Sequence, residues 1–252
     1  AGLLISLFGV SWVFFVNAVS FFAVVAALLA MHSGELRRPQ RNHDRPRIRE
    51  GLAYAWAITE IRATIVLVAV VGTLVYNFPT FLTLLANNTF HGDAGLAGFL
   101  MALLGVGTVI GALFAALRAR PTSRTVVAAA AMLGIALVVA ASLPTQLAVE
   151  AALVPVGALA VFFGSTSNAH MQIWSEPHIR GRVMSIYTLL TLGTTVVGGP
   201  FVGWVCERWS PRGGLALAGS VTVTAALVLS VLRRSSLRER EIVPRSATVT
   251  LD

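Results

Sequence analysis

Three polar side chains that could bind a small molecule lie at helical spacing within a long apolar stretch: Ser165, Asn168 and Gln172. Residues at i, i+3 and i+7 share one face of an α-helix, so a hydroxyl and two carboxamides would form one polar stripe. If the stretch crosses a bilayer, such groups are costly and usually face protein or water. Two interpretations stay open: interhelical hydrogen bonds, worth roughly 1 kcal/mol each, or the lining of a central cavity.

A second polar stripe follows on the next apolar stretch, where Thr188, Thr191 and Thr195 repeat the same spacing. Tyr76 and Asn77 form a further polar pair in an earlier apolar stretch. Groups of this kind orient a ligand by hydrogen bonds within an apolar pocket. We therefore predict a substrate cavity lined by Tyr76, Asn77, Ser165, Asn168, Gln172, Thr191 and Thr195.

His170 is the only histidine within an apolar stretch, and a lone histidine there is more often a packing residue than a proton carrier. Asp93 and Glu150 lie near one predicted membrane surface, and Glu60 and Glu176 lie near the other. Since no acid lies deep within a predicted span, the sequence shows no obvious proton-relay carboxylate.

Signatures of enzymatic chemistry are absent from the sequence. It has no His-x-x-x-His pair, no Gly-x-x-x-x-Gly-Lys phosphate loop and only one cysteine, Cys206. The five histidines are scattered, and no nucleophile has a base close to it in sequence. We predict no catalytic residue, no metal site and no cofactor, and we expect that the protein is not an enzyme.

Two glycine pairs at four-residue spacing, Gly107 with Gly111 and Gly199 with Gly203, predict close helix packing. Pro200 lies inside the second pair and can bend a helix. Plain packing is one interpretation of these residues, and a hinge for a conformational change is the other.

The composition indicates that membrane helices carry these residues. Hydrophobic residues make up 56% of the 252-residue chain, charged residues only 12%, and the mean hydropathy is +0.78. Soluble domains carry about 25% charged residues, so this chain has too few to form the polar shell of a soluble globule. The net charge of +8 comes from arginines clustered between apolar runs, which is typical of membrane topology rather than of a nucleic-acid-binding face.

A spanning helix needs about 20 apolar residues, and the run from Leu3 to Met31 is longer than that. We interpret Ala1–Phe8 as the end of one span, Gly9–Ser11 as a tight turn and Trp12–Met31 as a full span; one strongly tilted helix is the alternative. Six further spans are predicted at Ala63–Leu85, Ala94–Leu117, Thr125–Leu143, Leu147–Ile173, Val183–Val205 and Gly214–Leu232. The predicted fold class is an all-α membrane protein with about seven transmembrane helices and a partial one.

Loop charges predict the orientation, because arginines concentrate on the cytoplasmic side. Loop 86–93 lacks arginine and is predicted outside. Arg208 and Arg212 disagree with the pattern, because the alternation places them outside as well. The segments predicted inside are 32–49, 118–124, 180–182 and the C-terminal tail 233–252, which we expect to be disordered.

A short amphipathic helix is predicted after the arginine-rich segment. Ile48, Leu52, Ala55 and Trp56 recur at helical spacing, and charged residues lie off that face. Such a helix is typical of a segment that lies at the membrane surface.

Two consecutive motifs resemble those of a known family: Asn168-Ala-His-Met-Gln172 and Arg180-Gly-Arg-Val-Met-Ser-Ile-Tyr187. With them, the chain resembles the C-terminal part of a major facilitator superfamily transporter, of the branch that contains the enterobactin exporter and related multidrug and macrolide efflux proteins. Family members have twelve spans in two six-helix halves. Further similar stretches are Trp12–Phe21, Arg49–Tyr54 and Gly199–Trp204.

The resemblance implies a domain map. Residues 1–31 would hold the end of helix 5 and helix 6 of the N-terminal half, and residues 32–62 the cytoplasmic linker between the halves with its amphipathic helix. Residues 63–232 would form the C-terminal six-helix bundle, and residues 233–252 the cytoplasmic tail.

The resemblance also implies a gate. Arg180 and Arg182, with Glu176 nearby, would lie in an inner loop where arginines of the family help to hold the gate. Gly199-Pro200 resembles only the core of the antiporter glycine-proline motif of the family, and it lies in helix 11 rather than in helix 5.

The resemblance implies part of a bacterial inner-membrane exporter of small amphipathic molecules, driven by an ion gradient through alternating access. Its expected partners are membrane lipid, a small-molecule substrate and the N-terminal half of the same protein, but no nucleic acid. Because an apolar run begins at Leu3 and the first residue is Ala1, we expect a cut chain. The alternative is a non-transporting membrane scaffold or partner-binding protein derived from a transporter fold, and a membrane enzyme comes third.

Overall fold

The computed structural model describes residues 2–30, 48–117 and 121–242. Its contacts divide the chain into a short first unit, Ala1–Pro46, and a larger second unit, Arg47–Asp252. Ten α-helices and two π-helical turns account for almost all of the described residues. The apolar composition explains this, because a helix satisfies every backbone N–H and C=O group within its own segment.

The first unit contains one long helix, α1 (Gly2–Ala30), which has 29 residues. The tight turn predicted at Gly9–Ser11 is wrong: the helix continues through it, and the alternative of a single long helix is correct. At about 1.5 Å per residue, α1 is longer than the bilayer core of about 30 Å and fits it only when tilted. A glycine does not break the helix there. Leaving a backbone N–H or C=O group without a hydrogen bond in an apolar medium costs more free energy than the low helix propensity of glycine does.

The second unit begins with the short helix α2 (Ile48–Ala57) and contains six apolar segments long enough to cross a bilayer. The six spans predicted for this region are confirmed, with ends that differ by a few residues. The observed segments are Thr59–Thr89, Ala94–Ala116, Ser123–Ser142, Gln146–Trp174, Arg180–Arg208 and Pro211–Leu232.

Two of these six segments are interrupted. The first comprises α3 (Thr59–Leu74), a break at 75–77, α4 (Phe78–Leu84) and the π turn Leu85–Thr89. The fifth comprises α8 (Arg180–Thr188), the π turn Leu189–Gly193 and α9 (Thr194–Arg208). The others are α5 (Ala94–Ala116), α6 (Ser123–Ser142), α7 (Gln146–Trp174) and α10 (Pro211–Ile242).

The last helix, α10, continues beyond Leu232 as far as Ile242. The disorder predicted for 233–252 is therefore wrong for 233–242. That stretch is rich in Arg and Glu, which have high helix propensity. Residues 243–252 and most of the arginine-rich segment 32–49 lie outside the described residues.

The predicted amphipathic helix is present as α2, which packs on α3 and α8. Ala55 is buried, whereas Trp56, predicted to share its face, is exposed. The backbone N–H of Glu176 donates to the hydroxyl of Tyr54 at 3.3 Å, which ties α2 to the connection between α7 and α8. By its contacts α2 belongs to the second unit, and its location at a membrane surface stays a prediction.

Close packing between α5 and α7 depends on glycines. A Cβ at Gly107 would clash with the carbonyl oxygen of Val154, and a Cβ at Gly111 would clash with that of Ala158. The two backbones therefore touch, as is common where small residues occur at four-residue spacing in membrane helices.

The closest glycine contact of α9 differs from the predicted one. Cβ atoms at Gly199 and Gly203 would lie 3.4 and 4.0 Å from their nearest neighbours, which are ordinary contact distances. A Cβ at the adjacent Gly198 would instead clash with the carbonyl oxygen of Thr73. The close approach predicted at the Gly199 pair is therefore made at Gly198, and Pro200 lies exposed inside the helix.

Two sets of contacts mark opposite ends of the second unit. At one end, His170 near the end of α7 contacts Thr64 in the second turn of α3 and Ser123 in the first turn of α6. At the other end, the guanidinium of Arg212 donates to the carbonyl oxygen of Pro144 at 3.3 Å and lies over the ring of Phe90. The connections thus alternate between the ends, and Arg212, whose charge disagreed with the arginine pattern, has structural partners where it lies.

Candidate functional site

The polar stripe of α7 lies at the surface of the second unit. Ser165 and Gln172 are exposed and Asn168 is half-buried. Nε2 of Gln172 donates a hydrogen bond to Oδ1 of Asn168 at 2.5 Å. Because α7 is a regular helix through this stretch, the three side chains share one face as the spacing predicts.

The threonine stripe does not continue along one regular helix. Thr188 ends α8, Thr191 lies in the π turn and Thr195 lies in α9. The hydroxyl of Thr191 donates to the carbonyl oxygen of Tyr187 at 2.8 Å, and that of Thr195 to the carbonyl oxygen of Leu192 at 2.5 Å. Since a π turn bonds i to i+5, the regular α-helical spacing on which a shared face was predicted does not hold here.

Tyr76 and Asn77 lie at the break between α3 and α4. The hydroxyl of Tyr76 donates to the carbonyl oxygen of Ala160 on α7 at 3.3 Å. Asn77 is buried, and its Nδ2 donates to the carbonyl oxygen of Thr73 at 2.7 Å, beside Gly198 of α9. The pair thus ties the broken segment to α7 and α9, and its place in a substrate cavity stays a prediction.

A buried polar cluster lies at the end of the second unit where α3 and α6 begin. The hydroxyl of Ser123 donates to Oε2 of Glu60 at 2.6 Å and lies 3.2 Å from Nε2 of His170. The other ring nitrogen of His170, Nδ1, lies 3.1 Å from Oγ1 of Thr64. The Thr64 hydroxyl also donates to the backbone carbonyl oxygen of Glu60 at 3.2 Å. His170, Ser123 and Thr64 are almost fully buried.

Sequence reasoning missed this cluster and treated His170 as a packing residue. Glu60, Ser123 and His170 lie on three helices, and separations of 63 residues between Glu60 and Ser123 and of 47 between Ser123 and His170 form no local motif. The one available signal was the topology, which places the start of α3, the start of α6 and the end of α7 at the same end of the bundle.

The predicted gate residues flank the connection from α7 to α8. Arg180 and Arg182 lie in the first turn of α8, so their predicted position in a loop is corrected. Nη2 of Arg180 donates to the carbonyl oxygen of Ser175, the C-cap residue of α7, at 3.4 Å. The exposed carboxylate of Glu176 lies 3.4 Å from Nδ1 of His178. Gating by these residues stays a prediction.

Comparison with known protein families decides the class of this membrane protein. A family model of the major facilitator superfamily, described as transmembrane secretion effector, matches residues 1–249. The chain belongs to this family. No curated protein and no solved structure matches the chain.

Membership in the transmembrane secretion effector family makes the chain a multi-pass membrane protein of a transporter family rather than of an enzyme family. The all-helical architecture with six apolar spanning segments is that of a major facilitator helix bundle. Within this architecture, the stripe of α7 offers accessible hydrogen-bonding groups, whereas the His170 cluster links a buried imidazole to a half-buried carboxylate through Ser123.

Proposed function

We propose that the chain is part of a secondary active transporter that exports small amphipathic molecules across a bacterial inner membrane by alternating access. The observation that carries this proposal is the accessible amide pair of Asn168 and Gln172 on the spanning helix α7. Polar groups at such a position are costly and mark a ligand pathway when they face neither lipid nor a fully occupied packing contact.

Exposed apolar surface on the fifth spanning segment favours an amphipathic ligand. Large apolar side chains of the helix Arg180–Arg208 are exposed, among them Leu189 and Leu192. They line an open groove of about 570 Å³ together with Gly181, Met184, Ser185, Thr188 and Gly193. Ligand sites of transporters and enzymes combine apolar walls with a few polar groups in spaces of about 300–1,000 Å³, and this groove has that composition.

Alternating access requires a second bundle that rocks against this one. The resemblance to twelve-span transporters supports an N-terminal six-helix half as that partner, with the exposed faces of α7 and of the helix Arg180–Arg208 turned toward it. Interrupted helices allow local bending, because π turns and helix breaks have fewer regular hydrogen bonds to lose.

Export assays with the protein expressed from its native gene test this proposal. Intact cells are loaded with a panel of fluorescent amphipathic drugs and with siderophores, and efflux is followed with and without an ion gradient. We expect gradient-dependent efflux of at least one compound, and we expect Asn168→Leu with Gln172→Leu to abolish it at normal membrane insertion.

Thr224→Leu is the matched control, because Thr224 is an exposed polar residue on α10 whose hydroxyl donates to the carbonyl oxygen of Ser220 in the same helix. Its efflux should equal that of the wild type. If the wild type exports no compound of the panel while it inserts normally, the non-transporting scaffold replaces the exporter. If the Asn168 and Gln172 substitutions leave efflux unchanged, the stripe is not the substrate site.

A further inference from the structure

The buried cluster at the end of α7 makes four close polar contacts, but its two hydroxyl groups carry only two hydrogens. Four contacts link its members: Thr64 to the carbonyl oxygen of Glu60, Thr64 to His170, His170 to Ser123, and Ser123 to the carboxylate of Glu60. A serine or threonine hydroxyl carries one hydrogen, a carbonyl carries none and a neutral imidazole carries one.

Four simultaneous hydrogen bonds therefore need one more hydrogen than a neutral His170 and an ionised Glu60 provide. When Ser123 donates to Glu60 and Thr64 donates to the Glu60 carbonyl, both ring nitrogens of His170 must donate. The four contacts can all be hydrogen bonds only when the cluster holds one additional proton. Loss of that proton leaves one of the four contacts without a hydrogen, and burial of His170, Ser123 and Thr64 prevents water from replacing it.

The dipoles of α3 and α7 influence whether Glu60 or His170 carries the additional proton. Glu60 lies in the first turn of α3, where the helix dipole favours a negative charge. His170 lies close to the C-terminal end of α7, where the dipole favours a positive charge. Both helix dipoles therefore stabilise the arrangement with an imidazolium at His170 and a carboxylate at Glu60.

The other charged groups on the elements packed against α7 are arginines. α5 has no ionisable residue between Ala94 and Ala116. α3 and α6 contribute Arg62 and Arg124, which are both exposed. α8 contributes Arg180, which bonds Ser175, and Arg182. Within the described residues, Glu60 is the carboxylate hydrogen-bonded to the hydroxyl that contacts His170.

We propose that the cluster of Glu60, Thr64, Ser123 and His170 is the proton-binding site through which this transporter is coupled to a proton gradient, an inference that rests on the proposed transport function. On release, Nε2 of His170 gives its hydrogen to Oγ of Ser123 while the hydroxyl hydrogen of Ser123 passes to Oε2 of Glu60. The half-buried Glu60 then returns the proton to water. His170 ends neutral and Glu60 ends ionised, and one of the four contacts is left without a hydrogen.

Nitrogen-15 magnetic resonance of labelled histidines tests the proton-bound state of the cluster and requires no transport measurement. Signals of His170 are identified by their absence in His170→Gln. At a pH above the ordinary histidine pKa of about 6.5, we expect hydrogen on both ring nitrogens of His170 in the wild type and on only one in Glu60→Gln. A neutral His170 in the wild type, or a doubly protonated one that Glu60→Gln leaves unchanged, overturns the proposal.

Transport of a compound that the wild type exports tests the coupling. In proteoliposomes of the full chain, Glu60→Gln, His170→Gln and Ser123→Ala should lose proton-driven accumulation, because the proton cannot bind or pass. Exchange of labelled for unlabelled substrate without a gradient needs no net proton movement and should keep the wild-type rate. The exposed Glu207 and His178 provide the controls Glu207→Gln and His178→Gln, which should keep both activities.

The outcomes separate this proposal from the proposed function. Loss of exchange together with driven transport in all three variants means that the cluster is needed for the structure or its movement, and unchanged driven transport means that the proton binds elsewhere; either result overturns the coupling site. If the wild type transports no compound, the proposed function fails, whereas the histidine resonances still decide whether the cluster holds the extra proton.

Discussion

Gly72 of α3 lies directly against Thr194 at the start of α9: a Cβ at Gly72 would stand 2.5 Å from Oγ1 of Thr194 and 2.7 Å from the carbonyl oxygen of Leu190. The hydroxyl of Thr194 donates to that same carbonyl oxygen of Leu190. Leu190 belongs to the π turn Leu189–Gly193, so the missing side chain of Gly72 allows the interrupted helix to approach α3.

Gly72→Ala should therefore destabilise the protein. The added methyl group meets a backbone carbonyl and a β-branched side chain, neither of which can rotate away, and overpacking of this kind costs about 1–3 kcal/mol. The measurement is the Tm of the purified protein in detergent. Gly105→Ala is the control, because Gly105 also lies inside a helix but has open space where a Cβ would stand; alanine should raise the Tm there, since it is the better helix former. Equal effects at the two positions would contradict the contact.

Gly198 and Gly203 provide a second comparison within one helix. A Cβ at Gly198 would clash with the carbonyl oxygen of Thr73, whereas a Cβ at Gly203 would meet an ordinary contact at 4.0 Å. We expect Gly198→Ala to lower the Tm by several degrees and to reduce insertion, and Gly203→Ala to leave both unchanged. If Gly203→Ala is the more damaging substitution, α9 packs through the face predicted from its four-residue glycine spacing.

The six long helices of the second unit and the stripe of Ser165, Asn168 and Gln172 could be predicted because apolar runs and the 3.6-residue period are local properties. The continuous α1 was predicted only as an alternative, since a glycine and a serine in an apolar medium do not break a helix as they do in water. The break in the threonine stripe could not be predicted, because a π turn has no strong sequence signal.

The contacts made by His170 could not be predicted either. Glu60 was assigned to a membrane surface and His170 to packing, and neither assignment points to the other residue. Their connection through Ser123 depends on how α3, α6 and α7 pack, and not on any spacing around the histidine.

The orientation of the loops is tested by cysteine labelling in a Cys206→Ala background. We expect Asn88→Cys to react with a membrane-impermeant maleimide from outside, and Arg124→Cys to react only after the membrane is opened. Asn88 and Arg124 are both exposed, whereas the neighbouring His91 has a φ of 52° and is a poor site for substitution. Labelling of position 88 only from the cytoplasmic side would reverse the predicted topology.

The guanidinium of Arg180 reaches the C-cap of α7. The hydrogen bond from Nη2 to the carbonyl oxygen of Ser175, at 3.4 Å, joins the end of the helix that carries Asn168 and His170 to the start of α8. A lysine keeps the charge, and hence the topological signal, but it lacks the planar fork of donors. A hydrogen bond of this kind contributes about 1 kcal/mol, which corresponds to about fivefold in a rate.

If the bond forms in only one state of the transport cycle, Arg180→Lys with Arg182→Lys should insert normally and export about fivefold more slowly. Arg208→Lys is the matched control, since Arg208 is an exposed arginine in the last turn of α9 at the opposite end of the bundle, and its export rate should not change. The rate of efflux per inserted molecule is the quantity to compare. An unchanged rate in the double variant would mean that the two arginines act only through their charge, as anchors that keep this end of the bundle in the cytoplasm.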